Sequence, residues 1–182
     1  MRTIKKILSL MPLLILWAML SIFLWGFVFS HITDTDAAHK ITLCVDGEAP
    51  RATDLAVLME EKLEGAVRMV KVRPFSYAMF DAKTLTEADL FLVPASHIEE
   101  YMDWFAPLPP EFAEKEGTWM LDGVPYGYNA EQAASDYIAY DTTEADGKDY
   151  LLFGKKSVHL NGNENAVDNL AAKAAEILLS IQ

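Results

Sequence analysis

From Ile7 to Phe29 no side chain is charged, and only Ser9, Pro12, Ser21 and Gly26 interrupt a run of apolar residues. As a helix, a run of this length crosses about 30 Å of hydrocarbon with some tilt. Arg2, Lys5 and Lys6 precede it, and Asp34 and Asp36 follow it. The positive-inside bias then predicts a cytoplasmic start at 1–6, a transmembrane signal-anchor helix at 7–29, and an extracytoplasmic remainder in the cell membrane. A cleaved signal peptide shares the basic start, but its apolar core is ~7–15 residues long and a small-residue cleavage site follows closely. Phe27-Val28-Phe29-Ser30-His31 offers no such site, and Ala37-Ala38 lies well downstream.

Residues 30–40 are polar and unpatterned and read as a tether. Beyond them the pattern alternates between two periods. Ile41–Gly47 is an apolar strand ending in an Asp-Gly turn, with Cys44 inside it; the bulky Leu43 argues against Cys44 as a lipidation site. Thr53 can cap a helix carrying Leu55, Leu58, Met59 and Leu63 at helical spacing, closed by Gly65. Residues 67–75 are Val-rich, bounded by Pro74, and read as a second strand. Residues 76–88 suit a short helix or a turn. A third strand at 89–93 runs into Ser96-His97-Ile98-Glu99, where Ser with Glu three residues later is the capping-box pattern of a helix start. The order β-α-β-(α)-β-α predicts an α/β domain at 41–182, three-layered, with a mostly parallel sheet.

After Pro107–Pro110 the texture changes. Asp122-Gly123 between two short apolar runs predicts a two-residue hairpin. Tyr137–Tyr140 and Tyr150–Phe153 suggest a second hairpin. Glu164–Ile181 reads as a helix with Val167, Leu170, Ala171, Ala174, Leu178 and Ile181 on one stripe and Asn163 as its cap.

The runs "ADLFLVPASHIEEY", "WFAPLP", "DGVPYGYN" and "YLLFGKKSVHLNGNENAVDNLAAKAAEILLSI" together resemble extracellular solute-binding proteins of ABC transporters, of the type II periplasmic-binding-protein fold. The resemblance covers most of 41–182 and implies a single lobe of that two-lobed fold. Complete members clamp their ligand between two lobes, whereas only about 30 residues separate "YGYN" from the terminal helix region, which leaves no room for a second lobe. The resemblance thus implies a membrane-tethered module recognising a small solute such as a sugar or peptide, beside a transporter permease or a sensor. The alternative is a surface protein-interaction domain, non-catalytic, derived from such a lobe and no longer binding solute.

Charge narrows the partners. Residues 33–182 hold all 27 acidic side chains and 12 of the 15 basic ones, a net charge of −15 with neutral His. This argues against nucleic acid and against an anionic membrane surface as partner. One cysteine excludes an internal disulfide. The chain shows no catalytic constellation. His31, His39, His97 and His159 are scattered, and "HIEEY" lacks the second His of a zinc-protease helix. Ser96 lacks the G-x-S-x-G setting of a nucleophile. No enzyme activity, cofactor or metal is therefore expected. Candidate ligand contacts are Asp46 and Ser96 at strand ends, with Trp119 and Tyr126 among the rings (Trp104, Phe105, Tyr128, Tyr137 and Tyr140 are others) that crowd the later loops. Such rings stack on sugars, and equally they fill core.

Overall fold

The computed structural model describes residues 2–33, 35–75, 87–130, 132–139 and 148–181, with side chains throughout except at 2–10, 29–33 and 75. It divides into two units, Met1–Thr35 and Asp36–Gln182.

The first unit is one helix, α1 (Arg2–Thr33), with Pro12 inside it. Its segment Met11–Val28 has a mean hydropathy of 2.2 and none of it is buried. Leu14, Ile22 and Phe23 are all exposed. The helix suits a membrane anchor or a signal sequence, and orientation does not follow from it.

In the second unit the chain order is β1 (Lys40–Asp46), α2 (Ala52–Lys62), β2 (Met69–Phe75), β3 (Leu90–Pro94), 3₁₀ turns at Ala95–His97 and Glu99–Trp104, β4 (Phe105–Ala106), α3 (Pro110–Ala113), β5 (Thr118–Leu121), β6 (Val124–Asn129), β7 (Asp149–Gly154) and α4 (Leu170–Leu179). The seven strands form one sheet in the order β2-β1-β3-β7-β6-β5, with β4 also beside β7.

The central strands are buried on both faces, and period two sorts their side chains. Ile41, Leu43, Val45, Leu90, Leu92, Leu151 and Phe153 point to one face, under Leu55 and Met59 of α2 and Ala171, Ala174 and Leu178 of α4. Cys44, Phe91, Val93 and Leu152 point to the other, under Ile98, Tyr101 and Phe105. Burial pushes the Cys44 thiol up to about 12, as expected of an inert strand residue.

The sheet is mixed, which corrects the expectation of a mostly parallel one. β1 is parallel to β2 and β3, but β7 runs antiparallel to β3, β4 and β6, and β5 to β6. Parallel neighbours need a crossover of a dozen or more residues, usually a helix. Between β3 and β7 the longest described α-helix is the four-residue α3. The Asp122-Gly123 turn, with φ of 49° and 82°, joins β5 to β6 as a two-residue hairpin with both central residues at positive φ, a geometry that forces antiparallel pairing.

Local expectations fare unevenly. α2 starts at Ala52 without a side-chain cap, so Thr53 lies inside it; Arg51 bonds Asp54 instead, at 2.9 Å. The expected capping-box helix after β3 is two 3₁₀ turns with no side-chain cap, because the chain must return to the sheet at β4 within a few residues. The last helix begins at Leu170, not near 164, and Val167 is 65% exposed. Asn163 donates its amide to Gly154 O and Ser157 O rather than capping a helix. β7 pairs with β3 and β6, not with the described part of 137–140 (137–139), of which Ala139 bridges Glu48. The 76–86 part of the ambiguous segment and the 140–147 turn lie outside the described residues. The tether is not unpatterned to its end: Ala37–His39 form a 3₁₀ turn belonging to the second unit.

Candidate functional site

β1 lies between β2 and β3. The chain therefore leaves β1 toward one side, to β2, and returns to the other side, to β3. In open α/β sheets the crevice outside the carboxyl ends of the strands, at such a change of direction, is where ligands bind. Here that crevice lies between the ends of β1 and β3.

Asp46 is the last residue of β1, and His97 closes the 3₁₀ turn after β3. His97 Nδ1 lies 2.7 Å from Asp46 Oδ2, and their side chains are 39% and 12% exposed. A carboxylate only accepts, so Nδ1–H is the donor. In the neutral ring that leaves the lone pair on Nε2. Tyr101 meets the His97 ring edge-on at 6.1 Å and is itself stacked on Trp104 at 5.3 Å, the two planes 6° apart. The ring is thus held by a carboxylate on one side and a packed aromatic pair on another. An imidazole oriented in this way can exchange a proton or a hydrogen bond with a polar group in the crevice.

Of the residues expected from sequence, Asp46 and Ser96 lie at this strand-end region. Ser96 is exposed in the same turn as His97. Trp119 and Tyr126 sit half-buried on the β5–β6 hairpin and pack against the cluster of Phe91, Ile98, Tyr101 and Phe105. The other rings mostly pack as well. Phe105 is buried edge-on to Phe91, Tyr128 meets Phe112 edge-on, and Arg51 lies 4.7 Å over Tyr137. Sequence reasoning passed over His97. Both residues stand at strand ends in the sequence, but only the sheet order, with β1 beside β3, brings them together.

A second polar group is enclosed. Asp89, immediately before β3, is buried; it accepts from Thr42 N at 2.8 Å and from the Ser157 hydroxyl at 2.5 Å. Burial raises its carboxyl to about 6, against those two hydrogen bonds, which lower it. Ser157 Oγ in turn accepts from His159 N at 3.0 Å. The fully buried His159 ring lies 2.8 Å from Asp168 Oδ1 through Nδ1 and 2.9 Å from Ala37 O through Nε2. Ser157, His159 and Asp168 are not a hydrolytic triad, since the imidazole faces Asp168 and a carbonyl rather than the hydroxyl.

No group of three or more metal-ligating side chains occurs among the described residues. Two clefts elsewhere, of about 600 and 730 Å³, are lined in part by Lys115, Tyr128 and Glu176 and by Lys155, Lys156 and Asn165 respectively. Neither includes Asp46, Ser96, Trp119 or Tyr126.

No family model matches the chain, and no curated protein matches it. A solved structure, thiaminase I from Bacillus thiaminolyticus, matches at 13% identity and a TM-score of 0.33 over 48% of this chain and 27% of that one. The overlap spans about a quarter of that enzyme's length and transfers no activity to this chain. It is nonetheless an enzyme, and the expectation of a non-enzyme is withdrawn on that account.

Proposed function

We propose that residues 41–182 form a membrane-tethered extracytoplasmic recognition module for a small polar solute, such as a sugar or peptide, with α1 as a single-pass anchor whose N-terminus is cytoplasmic. One observation carries the site: Asp46 and His97 meet at 2.7 Å across the carboxyl ends of the parallel strands β1 and β3. The resemblance to one solute-binding lobe supports the ligand class and an association with a transporter permease or sensor. A single lobe cannot close over its ligand, so modest affinity is expected.

The test is a thermal-shift screen of the full chain in detergent with sugars, amino acids and short peptides. A ligand present at a hundred times its Kd stabilises by about 2.7 kcal/mol. Asp46→Asn and His97→Ala each abolish the shift if the crevice is the site. No shift with any class sinks the solute reading.

A protein-contact surface is the second reading. It is favoured by the β5–β6 hairpin at the sheet edge, where Met120 and Val124 are 51% and 38% exposed. Cross-linking through a photoreactive residue at 120 in intact cells separates the two: a discrete adduct, without any thermal shift, favours protein contact.

A further inference from the structure

The two acceptors around His159 cannot both be served by a neutral ring. The carbonyl of Ala37 accepts only, so Nε2 must carry a hydrogen to reach it. The Asp168 carboxylate, which also accepts from Leu170 N at 3.0 Å, takes the hydrogen on Nδ1. A neutral imidazole has one N–H. Only the imidazolium satisfies this geometry, inside a site where the ring is fully buried.

We infer that residues 36–39 are a strap clasped to the domain by protonated His159, and that deprotonation releases the strap. The order of loss follows from the partners. A carboxylate is the stronger acceptor, so the single remaining N–H stays with Asp168. Nε2 then turns a lone pair toward the lone pairs of Ala37 O at 2.9 Å, and that contact opens.

The charges facing the ring come from every side. Asp168 precedes α4, buried Asp89 precedes β3, and Lys40 opens β1 and acts on Asp89. On the strap itself, Asp36 and His39 lie 4.0 Å apart and are exposed. Burial pulls His159 down, but Asp168, the Asp89 charge and the Ala37 carbonyl outweigh it, and the net direction is upward from the ordinary value. The clasp therefore holds below the ordinary histidine value and opens as pH rises through a midpoint raised above it. Release frees up to about 13 Å of extended chain at ~3.3 Å per residue.

The full chain in detergent micelles, carrying a nitroxide at His39→Cys, reports on the strap directly. That substitution also removes the neighbouring titratable ring. Buried Cys44, its thiol held protonated, stays unlabelled. The expected spectrum is immobilised at pH 6, and a mobile component grows in a one-proton titration before the sheet unfolds by circular dichroism. His159→Leu is mobile at every pH. Asp168→Asn moves the midpoint down by about one unit, the usual size of effect for a removed counter-charge. A spectrum unchanged from pH 6 to the onset of unfolding overturns the inference, as does an immobilised His159→Leu. If His159→Leu does not fold, an unmoved midpoint in Asp168→Asn overturns it instead.

Discussion

Asp89 shows how one residue can couple stability to pH. Its carboxyl titrates near 6 in the fold against about 3.9 for a free side chain. The folded state therefore binds this proton more tightly than the unfolded chain. Its contribution is fully present below about pH 4 and is lost as pH rises through 6, a swing of about 3 kcal/mol. Asp89→Asn keeps the shape and removes the titration. Urea unfolding measured from pH 4 to 7 should show a flatter stability profile in the variant, and an unchanged profile would mean that the carboxylate is not buried as described. His159 acts in the same sense at higher pH: its contribution is present below the ordinary histidine value and fades as pH rises through its own raised one. Gly154 is the other residue with a sharp expectation. A Cβ there would lie 1.9 Å from Ala88 O, a backbone atom with nowhere to retreat. Gly154→Ala should cost about 3 kcal/mol, read as a lower urea midpoint with the slope unchanged.

At the scale of elements, legibility followed the strength of local signals. Short apolar runs at Ile41–Val45 and Leu90–Val93 marked two central strands, and the Asp-Gly pair at 122–123 marked the hairpin, because run length and turn chemistry are local properties. Gly123→Ala tests that turn on its own. The space around it is empty, so only φ of 82° resists, and a loss of about 1 kcal/mol in thermal unfolding is expected. Caps were misread at Thr53, Ser96 and Asn163. Each sits in a convincing pattern, yet the helix start is decided by where the chain must enter the packed face. β7 was equally opaque: its partners β3 and β6 are remote in sequence, and a run such as Leu151-Leu152-Phe153 pairs with whichever edge the topology leaves open. The candidate site was half legible. Asp46 and Ser96 stood at strand ends, but linking Asp46 to His97 required the sheet order, which no spacing encodes.

For the whole molecule, α1 and the sheet domain make separate demands. An anchoring α1 should keep the full chain in the membrane pellet after an alkaline carbonate wash, and protease added to intact cells should digest the domain. Recovery in the supernatant would rule out anchoring. The domain itself carries a less obvious safeguard. Its central strands are apolar on both faces, so sliding β3 by one residue against β1 would exchange one greasy row for another at little cost. The Asp89 carboxylate changes that arithmetic, since in the native alignment it meets Thr42 N from β1 and Ser157 from beyond β7. Any slipped pairing would enclose a charge with no donors. Asp89 thus works as an alignment pin, and substituting an apolar residue there should yield misassembled, slowly interconverting sheets rather than a merely weaker one.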